Sequence, residues 1–397
     1  MGRKVNLSSF TMRPVLAARS LPELYIPFNL PSPVGSEAQY VTDAMCSGHL
    51  AGDGGFTSRC HALLERVLGV RRALLTTSCT DALEMAAILL DVSAGDEVIL
   101  PTFTFVSVAN AFVLRGARPV FADIRPDTLN LDETRLERLI TARTKAIVVV
   151  HYGGVACEMD AILEIARRRN VPVIEDAAQG LFGRYRGRWL GSMGALGAFS
   201  FHGTKNFTCG EGGALAVNDA GLVERAEVIR QKGTNRHRFV RGEIDAYMWM
   251  DVGSSYLPSE LLAAFLLAQL EARERVQAQR GSVWQFYDTN LRGWAADRGV
   301  TLPVIPPWCD QAYHLFCLLL PSREDRPALM AHLNDAGIGS APHYSPLHLS
   351  PMGRQFTGRP GDCPVAEDVA DRLLRLPFYR TLTDRELGRV VEALHRW

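Results

Sequence analysis

Between Ala73 and Glu175 the chain alternates short apolar runs with segments of helical spacing. The runs at 73–76, 97–101, 119–123, 146–151 and 171–175 are rich in Val, Ile and Leu, flanked by turn residues, and too short for buried helices. The segments at 81–90, 106–114, 133–139 and 159–169 between them place apolar residues at helical intervals. Repeated strand–helix alternation makes neighbouring strands parallel and covers both faces of the sheet. The chain is therefore restricted to an α/β architecture. Two later strand-like runs, at 196–201 and 214–217, are joined by short loops instead of helices, which predicts a mixed, mostly parallel sheet of about seven strands.

After this alternation the pattern changes. From Ser259 to Trp294 the sequence reads as one or two long helices, apolar first and charged later. Beyond it, 313–320 is strand-like, 326–336 helical, 339–344 extended, and 366–374 and 384–395 helical, a compact α+β arrangement. The expected division is an N-terminal extension at 1–22, a large domain at 23–258, a linking long helix at 259–295 and a small C-terminal α+β domain at 296–397. No internal repeat or low-complexity segment interrupts it.

Composition narrows the class of function. At 397 residues with 47% hydrophobic content, the chain can bury a large core and a smaller second one. Formal net charge is zero and no long basic run occurs, which argues against nucleic acid and anionic membranes as partners. The longest apolar stretches are far too short to span a bilayer, and the first twenty or so residues lack a signal-type apolar region, so the expected location is cytoplasmic. The 8 cysteines form no C-x-x-C pair and lie at no zinc-site spacing, as expected of free buried thiols.

The chemistry concentrates in two places. Asp176 ends the apolar run Val171-Pro-Val-Ile-Glu-Asp, and about thirty residues later Lys205 sits in Phe199-Ser-Phe-His-Gly-Thr-Lys-Asn206, ahead of the Gly-rich stretch Gly210-Glu-Gly-Gly213. Together these read as a pyridoxal 5′-phosphate site. That cofactor needs an amine to hold it as a Schiff base, a carboxylate to keep its ring nitrogen protonated, and donors for its phosphate. Lys205 is the amine and, once displaced, the base and acid that moves a proton. Asp176 lies at the C-terminal edge of a parallel strand, where such sheets bind ligands. Gln179 is placed to donate to the cofactor's phenolic oxygen. Phosphate donors come from Ser78, Cys79 and Thr80 at the start of a helix, where unpaired N–H groups and the helix dipole favour an anion, and from Ser200. Phe105 is the aromatic expected to stack on the ring. Each feature has a plainer reading: a strand-end acid, a surface lysine, a Ser/Thr helix cap, a core phenylalanine. Their co-occurrence is what favours the cofactor. A dinucleotide site is excluded, because Gly191-Ser-Met-Gly194-Ala-Leu-Gly197 has the wrong spacing and precedes a strand, not a helix.

These motifs, with Gly95-Asp-Glu-Val-Ile-Leu-Pro-Thr-Phe-Thr-Phe-Val and Ile174-Glu-Asp-Ala-Ala-Gln, resemble the DegT/DnrJ/StrS sugar aminotransferases. The resemblance runs from about Tyr25 to the C-terminus. It implies the aspartate aminotransferase fold, pyridoxal phosphate fold type I. Gly52-Asp-Gly-Gly-Phe-Thr, Val149-Val-His-Tyr-Gly-Gly-Val-Ala-Cys-Glu-Met-Asp160, Lys232-Gly-Thr-Asn-Arg236 and Asp251-Val-Gly-Ser-Ser-Tyr resemble the branch that forms dTDP-4-amino-4,6-dideoxyhexoses. What this branch implies is transamination of the 4-keto carbon of dTDP-4-keto-6-deoxy-D-glucose with L-glutamate, giving the galacto or gluco epimer for glycan or antibiotic sugar biosynthesis. By position, the family implies Lys205 as the Schiff-base lysine and Asp176 at the ring nitrogen, with His343, Tyr344, His348, Gly54 and Phe56 on the sugar side. It also implies a homodimer with shared active sites, in which Ser255 stands where many members carry an asparagine that reaches the partner's phosphate. The alternatives are a 3-keto sugar nucleotide as substrate and a non-catalytic binding protein on the same fold. A dehydrating branch replaces the lysine with histidine, and Lys205 argues against it.

Overall fold

The computed structural model describes residues 25–397, so the expected extension at 1–22 lies outside the described residues. Helices α1 (Glu37–Cys46) and α2 (Gly55–Leu68) lead into β1 (Arg72–Thr76). The alternation follows as α3 (Cys79–Leu89), β2 (Glu97–Pro101), α4 (Ser107–Val113), β3 (Arg118–Ala122), β4 (Thr144–Val150), α5 (Met159–Arg169) and β5 (Val173–Asp176). A short hairpin, β6 (Arg184–Tyr185) and β7 (Arg188–Trp189), precedes β8 (Leu196–Ser200) and β9 (Gly213–Val217).

Among the described residues, seven of these strands form one sheet in the order β1-β9-β8-β5-β4-β2-β3. Strand β9 runs antiparallel to both its neighbours, and the remaining pairs are parallel. The fold class is thus the mixed, mostly parallel α/β sheet that the sequence predicts. Alternate residues feed two apolar layers: Leu75, Val149 and Val173 pack with α2, α5 and later helices, while Leu74, Val148 and Ile174 pack with α3 and α4. Both faces being dry explains why the strands read as unbroken apolar runs. The topology also gathers the C-terminal ends of β1, β2, β4, β5 and β8, and the start of β9, along one edge.

The rest of the chain continues through α6 (Val223–Arg230), α7 (Arg236–Val240), α8 (Glu260–Glu271) and α9 (Arg273–Arg298). Then come β10 (Cys309–Asp310), β11 (Cys317–Leu319), α10 (Asp325–Asp335), β12 (Ala341–Pro342), α11 (Pro351–Gln355), α12 (Pro364–Arg372), β13 (Leu373–Arg375) and α13 (Asp384–Arg396). A second sheet, β11-β13-β12, carries its own core with Trp284, Tyr287, Phe316, Leu318 and Leu374.

Three expectations need correction, and a fourth is made more specific. The segment 133–139 is not an α-helix but two 3-10 turns, Glu133–Arg135 and Glu137–Leu139, closed by i→i+3 bonds. Asp132 caps the first turn through the Thr134 N–H, and so short a segment gains little from α-helical propagation. The helix expected at 366–374 stops at Arg372, because Leu373 and Leu374 are the fully buried middle of the second sheet. The strand expected at 313–320 pairs only over Cys317–Leu319; Tyr313 before it takes a left-handed φ of 52°. The linker at 259–295 is two helices with different allegiances. Helix α8 packs on α1 and α2 against the large sheet, while Val283, Trp284 and Leu291 of α9 belong to the second core, which Ile26 also joins.

Candidate active site

Asp176 and Lys205 are brought together at the gathered strand ends. Strand β5 delivers Asp176 there, in register with Ala198 of β8. After β8, a tight loop carries Lys205. It is closed by Phe201 N–H to the Gly212 carbonyl (2.8 Å), Gly203 N–H to Gly210 (2.8 Å), and Lys205 N–H to His202 (2.9 Å). The side chain of Asn206 braces it from behind, donating to the Ala312 carbonyl at 2.6 Å and bonding His314 Nδ1 at 2.9 Å.

A cavity of about 530 Å³ opens over these residues. It is lined by Ser78, Cys79, Thr80, Phe105, Asp176, Gln179, Ser200, Lys205, His343 and Tyr344, all named from the sequence. Lys205 is partly buried and lines this cavity. Burial pulls its amine below the ordinary lysine value, and the Asp176 charge opposes that. Burial likewise raises Asp176 above the ordinary carboxylate value; its bond from the Ala178 N–H (2.9 Å) and the Lys205 charge only partly compensate. Both groups are therefore held short of charge compensation by the protein alone.

The opposite wall is aromatic. Tyr344 accepts from Gln179 Nε2 at 3.1 Å, and its ring stacks on His343 with centroids 3.8 Å apart. Gln179 Oε1 in turn accepts from the Gly153 N–H at 2.7 Å, fixing the amide's orientation. Burial, with Arg375 and Lys205 nearby, pushes the His343 imidazole down to about 2, so it is neutral; its Nδ1 bonds the Tyr152 hydroxyl at 2.9 Å. Burial raises the Tyr344 phenol to about 12.

In the same cavity, Ser78 is the N-cap of α3, its hydroxyl accepting from the Asp81 N–H at 3.1 Å. The N–H groups of Cys79 and Thr80 precede the first intrahelical bonds and point out of the helix end. Thr80 Oγ1 donates to Ser107 Oγ at 2.7 Å. The helix end approaches β9 so closely that a Cβ on Gly213 would lie 2.3 Å from the Ser78 carbonyl carbon, so only glycine fits there. Cys79 is no second nucleophile: burial, helped by Asp176, raises its thiol well above the ordinary value.

This donor set fits pyridoxal phosphate. A desolvated amine favours carbonyl condensation, a buried under-compensated carboxylate suits a protonated ring nitrogen, and a helix N-terminus with adjacent hydroxyls suits the phosphate.

Four sequence-named residues lie elsewhere in the chain. His348 is fully buried outside the cavity, tied to Thr102 Oγ1 (2.7 Å) and Glu367 (3.0 Å); it locks the loop that carries His343 and Tyr344. The loop of Gly54 and Phe56 is held by Glu260, which accepts from the N–H groups of Gly54 (3.0 Å), Phe56 (2.7 Å) and Thr57 (3.1 Å). Ser255 is exposed and bridges Gln231, whose amide bonds Asp53 of that same loop. Gly54, Phe56 and Ser255 thus share one surface outside their own cavity. Conversely, Arg375, His314, Thr104 and Phe28 line the cavity without having been named from the sequence. Arg375 had a signal, a lone charge inside Leu373-Leu374-Arg375-Leu376; His314 and Phe28 had none.

Comparison with known proteins places the chain. Residues 32–395 match the model of the DegT/DnrJ/EryC1/StrS aminotransferase family. The spore coat polysaccharide biosynthesis protein SpsC of Bacillus subtilis is 34% identical, covering 93% of this chain and 96% of its own length. GDP-perosamine synthase of Caulobacter vibrioides is also 34% identical, covering 91% and 95%. Among solved structures, the aminotransferase TlmJ from Streptoalloteichus hindustanus superposes with a TM-score of 0.86 at 31% identity, covering 94% and 98%.

Proposed function

The chain belongs to the DegT/DnrJ/EryC1/StrS aminotransferase family, whose enzymes depend on pyridoxal phosphate, and from that premise we propose that it is a sugar-nucleotide aminotransferase. In this reading L-glutamate gives its amino group to the 4-keto carbon of dTDP-4-keto-6-deoxy-D-glucose. The observation that carries it is the facing pair Lys205 and Asp176, both desolvated, at the gathered strand ends.

Pyridoxal phosphate, when bound, supplies an electron sink that stabilises the carbanion formed at the donor carbon. Asp176 holds the charge that keeps such a ring protonated. Gln179, oriented by the Gly153 N–H, presents its Nε2 where Tyr344 now accepts. Ser78, Cys79, Thr80 and Ser200 hold the phosphate end, and Phe105 covers a face. Lys205 Nζ takes the α-proton from the donor and later returns a proton to C4 of the sugar. Burial lowers its pKa, which raises its free-base fraction above that of an ordinary lysine. Since Lys205 approaches from one side, the face of the sugar presented to it sets the galacto or gluco outcome.

The reading includes a homodimer. The shared surface of Gly54, Phe56 and Ser255 continues into an exposed apolar run from Tyr247 to Met250, with Trp249 81% exposed. Water-exposed apolar surface of this kind supports burial against a second copy. In such a pairing these residues would complete the partner's site. No helix among the described residues is long and apolar enough to cross a membrane.

A GDP-linked keto sugar is the second reading, favoured by the likeness to GDP-perosamine synthase. The test is the visible absorbance of the cofactor-loaded protein. It should be lost on L-glutamate and restored by one member of a panel of dTDP-4-keto, GDP-4-keto and 3-keto sugars, with NMR couplings at the new C–N carbon giving the epimer. Restoration by the GDP-linked or 3-keto compound alone would overturn the dTDP-4-keto assignment. No response to glutamate would overturn the aminotransferase reading.

A further inference from the structure

Arg375 is the single arginine, and Lys205 the single lysine, among the described residues that line the cavity. Its strand is held on both sides, Arg375 lying opposite Cys317 of β11 and Ala341 of β12. The guanidinium is fixed as well: Nη2 donates to the Pro342 carbonyl at 3.0 Å, and the group lies 4.6 Å from the centroid of the Phe28 ring. Its Nε is buried and without a hydrogen-bond partner, and no carboxylate among the described residues pairs with it. The groups around it, Tyr152, Tyr344 and Cys317, are neutral, each raised by burial. An oriented, partly desolvated cation with no counter-charge costs stability unless a ligand supplies the anion.

We propose that Arg375 receives the α-carboxylate of the amino donor, which makes the donor half-reaction specific for an amino acid. The assignment rests on the aminotransferase reading above and names the residue that selects its first substrate. In that half-reaction the donor's α-proton passes to Lys205, one water cleaves the donor's C–N bond and supplies the oxygen of the 2-oxo acid that leaves, and the nitrogen stays behind while the carboxylate is unchanged. Two features favour a carboxylate over the phosphates of the sugar nucleotide. A planar guanidinium matches a planar carboxylate, and a diphosphate would call for a second unpaired cation that the described lining does not provide. Arg375 also stands near Tyr344, His343 and Lys205, within reach of the reacting amine.

The test uses the full chain loaded with pyridoxal phosphate, comparing wild type with Arg375→Met and Arg375→Lys. Calorimetric binding of 2-oxoglutarate, which does not react with this form, should weaken roughly 100-fold in Arg375→Met and roughly 10-fold in Arg375→Lys, which keeps the charge but loses the fork. The same proteins loaded with pyridoxamine phosphate should aminate the keto sugar within about 3-fold of wild type, because that step needs no donor carboxylate. Arg375→Lys carries the test if Arg375→Met fails to fold. Unchanged 2-oxoglutarate binding, or a parallel loss in the sugar half-reaction, would overturn the proposal and point to the phosphates or to support of the small sheet. Arginine-dependent 2-oxoglutarate binding with no keto sugar accepted would sink the substrate assignment and leave Arg375 standing.

Discussion

Glu175 and Asp176 are adjacent on β5, equally dry, and do opposite work. Strand geometry sends them to opposite faces of the sheet. Glu175 is completely satisfied: Oε1 accepts from the N–H groups of Met193 and Gly194, both at 2.6 Å, and Oε2 from Gly191 at 2.8 Å and His151 at 2.9 Å. His151 Nδ1 accepts from the Cys157 N–H, so its proton sits on Nε2 and is donated to Glu175. That carboxylate ties the Gly191–Gly194 turn and the end of β4 to the sheet. Asp176 accepts one protein N–H, from Ala178, and otherwise faces the cavity and Lys205. Two carboxylates of similar burial are thus told apart by their unmet hydrogen-bonding capacity: the satisfied one is structural, and the under-satisfied one awaits a ligand.

Substitutions at Lys205 and at the two acids test that contrast. Lys205→Ala should have the largest effect, lowering turnover by roughly 10³-fold or more while far-ultraviolet circular dichroism stays unchanged. Residual turnover near wild type would remove Lys205 from the mechanism. The pair Asp176→Asn and Glu175→Gln should then separate cleanly. Asp176→Asn should cut turnover by roughly 10²-fold with no loss of melting temperature. Glu175→Gln should cost about 3 kcal/mol of stability, since an amide NH₂ would face backbone donors that now meet an anion. If both variants lost stability equally, the division of labour would fail.

A third experiment exploits the sign of the Asp176 shift. Its folded-state pKa is raised, so the ionised form is disfavoured in the fold. That cost is absent below the unfolded carboxylate value, grows as pH rises through the folded one, and is complete above it. In cofactor-free protein, Asp176→Asn should therefore be more stable than wild type at neutral pH, by roughly 0.5–2 kcal/mol, with the gain vanishing in acid; chemical denaturation at several pH values measures this. A gain that persisted in acid would assign it to packing instead. The smallest effect is expected for Tyr344→Phe, which removes the acceptor for Gln179 and should weaken the site by about 1 kcal/mol, read as a few-fold fall in kcat/KM.

Much of the fold was legible because the strands are dry on both faces and therefore monotonously apolar, and because the helices between them keep their spacing. The 3-10 turns at 133–139 and the strand hidden in Leu373–Arg375 were not legible. Both are short segments whose state is set by partners distant in sequence: β11 and β12 in the second case. The near half of the site was readable for the same local reason. Asp176 and Ser200 end strands, and Gln179, Lys205 and the Ser78–Thr80 turn follow strand ends within a few residues, so reading the strands located them.

The sequence alone determined the α/β architecture, the lysine–carboxylate pair and the helix N-terminus, because each is written in contiguous residues. Tertiary structure decided that Glu175 is tied into the Gly191–Gly194 turn, that His348 is a buried prop and not a wall, and that Gly54, Phe56 and Ser255 share a surface outside their own pocket. It also placed Arg375 among the lining residues. Those outcomes depend on how the second sheet and the loop around Glu260 dock against the first. Docking is fixed by long-range packing and hydrogen-bond satisfaction, which no short run of residues encodes.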